Sequence, residues 1–134
     1  MNNKSFLLLF LAFALASFGA DAQMTSLEID SLLTGTWQGS SICQLKNSPC
    51  HDETVVYHIS RVSGNDTLFI QADKIVNGIA VDMGILPCLF DEKTNSLVSS
   101  SYGTWSFLVR DNEMEGTLIY NGELYRKITL SKTH

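Results

Sequence analysis

Two Asn-Gly pairs, Asn77-Gly78 and Asn121-Gly122, each stand between runs of β-type residues, and they constrain this chain more than any other feature. A type I′ turn needs positive φ at both central positions, which Asn and Gly accept, so each pair predicts a tight antiparallel hairpin. Other turn signals divide the rest of the chain after Gly35 in the same way. Thr36 to Cys43 is the first run. Glu53 to Val62 is the clearest, with Val55, Tyr57 and Ile59 alternating against Val56, His58 and Ser60. Ser63-Gly64-Asn65-Asp66 then turns the chain into Thr67 to Val76, and Ile79 to Phe90 follows the first Asn-Gly pair. Gly84 and Pro87 within that run predict a bulge or a free edge near its end. Asp91 to Asn95 is the next turn, before Ser96 to Tyr102, Thr104 to Arg110, Met114 to Tyr120 and Glu123 to Leu130. Only Met24 to Leu33, ended by Thr34-Gly35, suits a helical turn or two. Consecutive hairpins without a crossover helix predict an all-β fold, a small antiparallel up-and-down barrel of about eight strands behind a short N-terminal helix.

The start of the chain reads differently. Met1-Asn2-Asn3-Lys4 carries one positive charge, Phe6 to Phe18 is almost wholly apolar, and Ala20-Asp21-Ala22 offers small residues at the two positions a signal peptidase reads. These features predict a secretory signal peptide over residues 1–22, cleaved after Ala22. Spanning a bilayer takes about 20 apolar residues, more than this run supplies. The barrel domain then occupies residues 23–134, and the product is expected to be secreted or periplasmic, with no membrane span after cleavage. Its formal charge of −5 and the lack of a basic cluster argue against nucleic acid, because phosphate contacts need Lys and Arg. Three cysteines fit an oxidising compartment. Cys43 and Cys50 flank the short loop Gln44 to Pro49, which favours a disulfide between them, while Cys43–Cys88 and Cys50–Cys88 stay open.

Little in the chain specifies a reaction. Cys50-His51-Asp52-Glu53, with His58 beyond it, is the one dense polar cluster. On an extended strand His58 lies about 20 Å from Asp52, so one ion cannot use both. His51 with Glu53 supplies two donors, too few for a typical zinc site, so no metal is expected. No serine stands in a Gly-x-Ser-x-Gly elbow, and no phosphate loop or dinucleotide fingerprint occurs, so neither catalytic residues nor a cofactor are assigned. Glu113 with Glu115, and Asp91-Glu92, read as solvated turn charges. Trp105, Phe107 and Val109 alternate on one face of a strand, and Met114, Leu118 and Tyr120 on the next, as ordinary core or as the wall of an apolar pocket.

Gly35-Thr36-Trp37, opening the first of the meandering strands just after a short helix, resembles the start of the lipocalins and their smaller calycin relatives. In that family the Trp closes one end of the barrel and packs on an Arg from near the last strand. The resemblance places Arg126, in Tyr125-Arg126-Lys127-Ile128, in that role. Leu124, Arg126, Ile128 and Leu130 share a face, and a cation on an apolar side is compensated by stacking on an indole. The alternative is an ion pair between Arg126 and a carboxylate at the rim. The segments Ser48 to Tyr57, Ala72 to Gly78, Met83-Gly84 and Met114-Glu115-Gly116-Thr117 also resemble small exported bacterial lipocalin-like proteins. That likeness implies the fold and no particular activity. It makes a non-enzymatic binder of a small apolar or amphipathic ligand the leading expectation, with a cavity near Trp37, Tyr57, Trp105, Phe107 and Arg126. The alternative is a protein-binding module, such as a lysozyme-inhibitor-like periplasmic barrel, in which the loop Gln44 to Glu53 contacts a protein partner. A barrel enzyme without a sequence motif is the third reading.

Overall fold

The fold is a computed structural model that describes residue 19 and residues 22–134. The expected signal peptide falls almost wholly outside those residues. Thr25 begins the ordered chain as a helix cap: its hydroxyl accepts from the Glu28 N–H, and Glu28 returns the bond to the Thr25 N–H. Such a reciprocal pair satisfies amides that a helix start leaves without partners. The helix α1, Ser26–Leu33, ends where Thr34 turns extended.

Eight strands follow: β1 Gly35–Cys43, β2 Glu53–Arg61, β3 Leu68–Val76, β4 Ile79–Asp91, β5 Ser96–Ser99, β6 Thr104–Arg110, β7 Glu113–Tyr120 and β8 Glu123–Lys132. Each pairs antiparallel with the next, and β8 returns to β1, so the sheet closes into a barrel. Asn77 and Asn121 take φ of 51° and 50°, and their glycines 78° and 77°, as a type I′ turn requires. Run and strand agree closely except at β5, which stops at Ser99 instead of reaching Tyr102. Glu113 and Glu115, expected in a turn, belong to β7, and Glu113 accepts from the Ser131 hydroxyl of β8. A register shift after Leu118 breaks the alternation, so Tyr120 leaves the inner face it was expected to share with Met114.

Period-two alternation puts Trp37, Val55, Tyr57, Ile59, Leu68, Ile70, Leu86, Cys88, Leu97, Phe107, Val109, Met114, Ile128 and Leu130 into one core. Burying a side chain of this kind fully contributes about 1.5–3 kcal/mol, so the inner stripe is the main favourable term. Two glycines make the inner wall fit. A Cβ on Gly39 would lie 1.9 Å from the Thr129 carbonyl oxygen, so only glycine lets β1 and β8 approach. A Cβ on Gly116 would lie 2.4 Å from the Phe107 ring, which occupies that space.

One end of the barrel is plugged. Trp37 is fully buried there and donates from Nε1 to the Leu33 carbonyl at 2.9 Å. Lys132 Nζ stands 5.6 Å from the centre of the Trp37 ring and donates to the Ser31 and Leu32 carbonyls. A lysine there satisfies carbonyls that the last turn of α1 leaves free and meets the negative end of its dipole. Arg61 of β2 pairs with Asp30 of α1, a second tie between helix and barrel.

The disulfide joins Cys43 to Cys50, and Cys88 is the free cysteine among the described residues. Burial pushes the Cys88 thiol from its ordinary 9.0 to about 12. Tyr57 is pushed up by burial first and by the Glu53 charge second, with Arg126 opposing.

Two outcomes check this packing. Gly39→Ala is expected to lower the unfolding free energy by about 3 kcal/mol, read from the urea midpoint, because the new methyl meets backbone that cannot move without opening the β1–β8 ladder. In the alkaline range the unfolded chain releases the Cys88 and Tyr57 protons before the native one does. Their contribution to stability is therefore full below pH 9, the ordinary Cys88 value, and is lost as the pH climbs to about 12. Urea midpoints measured across this range should fall, and Cys88→Ala should make the decline shallower.

Candidate functional site

The end opposite α1 is built from the last residues of β1, β3, β5 and β7 and the first of β2, β4, β6 and β8. There the inner wall is incomplete, because β4 and β5 pair only at Leu89–Val98, Phe90–Leu97 and Asp91–Ser96. Earlier in β4, Ile79 to Asp82 and Ile85 to Cys88 pair with β3 alone among the described residues, and a register shift at Met83-Gly84 realises the expected bulge. Two local causes stand at this break. Pro87 brings no N–H with which a ladder could continue. Across from it the chain leaves β5 at Ser99 and turns through Ser100 to Gly103, with Tyr102 at φ 58° and Gly103 at φ 119°.

A pocket of about 340 Å³ opens beside this break. Tyr57, Ile70 and Ala72 line it from β2 and β3, Met83 to Leu86 from β4, and Tyr102 and Trp105 from the facing turn and β6. The aromatic rings beneath are ordered by one another. Trp105 stacks on Phe107 at 6.0 Å with 13° between planes, and Phe107 meets Tyr57 edge-on at 6.1 Å. Both arrangements suit the quadrupoles of the rings. Trp105 also donates from Nε1 to the Ser101 carbonyl at 2.9 Å, which fixes the turn against the pocket wall. Tyr102 is the outlier: a non-glycine residue in the left-handed region and 84% exposed, at the lip of an apolar hollow. A side chain held in that backbone region costs about 1–3 kcal/mol, a cost that gathers at ligand clamps.

Of the expected ligand residues, Tyr57 and Trp105 line this pocket. Phe107 lies under it, fully buried, as their support. Trp37 is sealed at the plugged end. Arg126 is not the cation over Trp37; that position belongs to Lys132. The register gives the reason. Trp37 stands opposite Lys132 and Cys43 opposite Arg126, so the arginine is six residues farther along β1, about 20 Å away.

Arg126 instead organises the rim. Its Nη1 donates to the His51 carbonyl at 3.0 Å and to the carbonyl and hydroxyl of Ser41. Its Nη2 is 3.6 Å from a Glu53 carboxylate oxygen, and the guanidinium lies 5.4 Å from the centre of the Tyr125 ring. Asp52 accepts from the Cys43 N–H at 2.9 Å. Disulfide, arginine and aspartate together pin the loop between β1 and β2. A second hollow of about 500 Å³ lies here, lined by residues 49–54, residues 74–76, Tyr125 and Arg126. His58 is on the outer wall, between the Thr36 hydroxyl at 3.2 Å and Asp73 at 3.4 Å. Among the described residues no group of three or more His, Cys, Asp or Glu is placed to hold a metal ion.

Sequence reasoning missed Ile70, Ala72, Met83, Ile85, Leu86 and Tyr102 as pocket residues. The signal was present in Gly84 and Pro87, which marked an irregular strand, but alternation alone does not say what faces that strand across the break.

No protein-family model matches the sequence, and no curated protein matches it. Among solved structures, the chain is similar to one described as the siderocalin Ex-FABP, said to function through dual ligand specificities. The identity is 13%, over 75% of this chain and 69% of that one, with a TM-score of 0.40. A likeness at that level transfers no ligand and no residue role. The architecture stands on its own pairing: eight antiparallel strands in sequence order, closed on themselves, with a short helix over one end, make a lipocalin-like fold.

Proposed function

We propose that this chain is a non-enzymatic binding protein that holds a small apolar or amphipathic ligand at the end of the barrel opposite α1. The pocket beside the β4–β5 break carries this reading. Its lining is mostly apolar and aromatic, and its volume lies at the lower end of the roughly 300–1,000 Å³ usual for small-molecule sites. Tyr57 and Trp105 are the contact residues, with Phe107 as the rigid support behind them. Trp37 and Arg126 act one step removed, as the plug of the far end and the clamp of the rim. The site of action is proposed to be outside the cytoplasm, after removal of residues 1–22. The Cys43–Cys50 disulfide supports this, since such bonds persist in oxidising compartments.

A protein-binding role has its own support in the loop of residues 44–52. The disulfide, the Arg126 bond to His51 and the Asp52 bond to Cys43 hold it in one shape. A loop ordered in advance loses little entropy on meeting a partner. Its acidic setting, with Asp52 and Glu53 at the rim and a net charge of −5, would suit a basic protein.

Titration with N-phenyl-1-naphthylamine, a neutral apolar dye that brightens in dry surroundings, separates these readings. The carrier reading expects saturable enhancement, weakened about tenfold by Trp105→Ala, the loss of one well-packed aromatic contact. It expects no change from Asp52→Asn in the loop. Absence of saturable enhancement in the unaltered protein, or equal binding by Trp105→Ala, would overturn it.

A further inference from the structure

The pocket has a neighbour on the outer side of the wall, a hollow of about 380 Å³ lined by Thr67, Pro87, Cys88, Leu89 and residues 98–101. On the β4 wall the lining passes from Leu86 in the first hollow to Pro87 in the second. On the opposite wall it passes from Tyr102 to Ser101. The two linings share no residue, but consecutive residues on both walls set the hollows side by side at the gap left where the β4–β5 ladder stops, one on its inner and one on its outer side. The inner stretch is closed in by Tyr57, Ile70 and Trp105. The outer one carries the exposed side chains of Pro87, Leu89, Val98 and Ser100.

Their chemistry differs in a useful way. The inner stretch is apolar apart from two phenol groups. The outer stretch is lined by four hydroxyl-bearing residues, Thr67, Ser99, Ser100 and Ser101, beside Leu89 and Val98, and the Ser99 hydroxyl accepts from the Ser101 N–H at 3.3 Å. Neither stretch is lined by Lys, Arg, His, Asp or Glu. Two carboxylates adjoin the lining in sequence, Asp82, which accepts from the Gly84 N–H at 2.7 Å, and Asp66, next to Thr67; the cation near Thr67 is Arg61, which is paired with Asp30. A ligand with a negative head would therefore find no countercharge in the lining and acidic residues next to it. A charge left without a partner is costly, whereas hydroxyl and ester groups can exchange hydrogen bonds with serines and threonine.

From this adjacency and this charge pattern, and resting on the carrier reading above, we infer that the ligand is an uncharged linear amphipath that lies across the side seam. Its apolar chain fills the inner pocket, and its neutral hydroxyl-bearing head sits in the outer groove at Thr67 and Ser99 to Ser101. Access is then through the wall of the barrel between β4 and the turn, past Tyr102, rather than along the barrel axis. Tyr102, fixed in the left-handed region at the junction of the two stretches, caps the point where chain gives way to head.

The test compares monolaurin with lauric acid at pH 8, each displacing N-phenyl-1-naphthylamine from the mature protein. These two probes share a chain and differ in head charge. The unaltered protein should favour monolaurin. Ser100→Arg, at an exposed position of the outer groove, should shift the preference toward laurate by about tenfold, the effect of one new charge-assisted bond. Thr129→Arg on the far wall makes the same change in net charge and should leave the preference as it was. Circular dichroism and the urea midpoint confirm that each variant is folded. Dye binding with displacement by both lipids, but without a shift in Ser100→Arg, would overturn the seam and leave the carrier reading intact. An equal shift in Thr129→Arg would also overturn it, by assigning the effect to overall charge. Failure of the dye itself to bind would remove the carrier reading first.

Discussion

The ladder between β1 and β8 is the constraint on which the rest depends. These strands lie at opposite ends of the chain and meet over seven residue pairs, from Trp37–Lys132 to Cys43–Arg126. Without that contact the meander would be an open sheet with two free edges, and edges of that kind template aggregation. With it, the alternation written into each run acquires one shared interior. The same pairing fixes the plug, because it delivers Lys132 to Trp37 and to the last carbonyls of α1. It also fixes the rim, because it delivers Arg126 to Ser41 and His51. Gly39 is the small residue that permits so close an approach.

Closure is not uniform around the ring. The β4–β5 pairing has three residue pairs, and the first half of β4 has β3 as its sole partner strand among the described residues. Ile79 and Ile85 are 68% and 62% exposed on that strand. The β3–β4 register shift leaves Met83 and Gly84 without ladder partners, and Asp82 accepts from the Gly84 N–H. The pocket proposed for the ligand lies at this defect, and the aromatic stack of Trp105 on Phe107, with Tyr57 at its edge, gives it a rigid boundary.

Much of the fold was legible in the residues. The two Asn-Gly turns, the alternation in Glu53 to Val62 and the short helix before Gly35 all appear where the pattern places them, because each depends on local geometry. The Cys43–Cys50 pairing was legible for the same reason, since a short loop brings its ends together. The site was legible only in part. Tyr57 and Trp105 announced themselves as aromatic residues on inner faces. Arg126 was placed on the correct face, and of its two expected partners the rim carboxylate, Glu53, is the one it meets, while Trp37 lies at another height: alternation fixes which way a side chain points, whereas the partner it meets depends on the register between distant strands. Tyr102 was hidden because the run from Ser96 looked able to continue. What stops it is a turn whose positive φ at Tyr102 no propensity would favour.

Native-state hydrogen exchange, resolved residue by residue, tests the central claim that the barrel is closed firmly at β1–β8 and left open at β4–β5. Amides of β1 and β8 should exchange only through global unfolding, with the slowest rates in the protein. Amides of Val81 to Ile85 and of Ser100 to Gly103 should exchange faster by orders of magnitude, through local opening alone. Uniform protection around the ring, or β1 and β8 exchanging as fast as the first half of β4, would contradict the account.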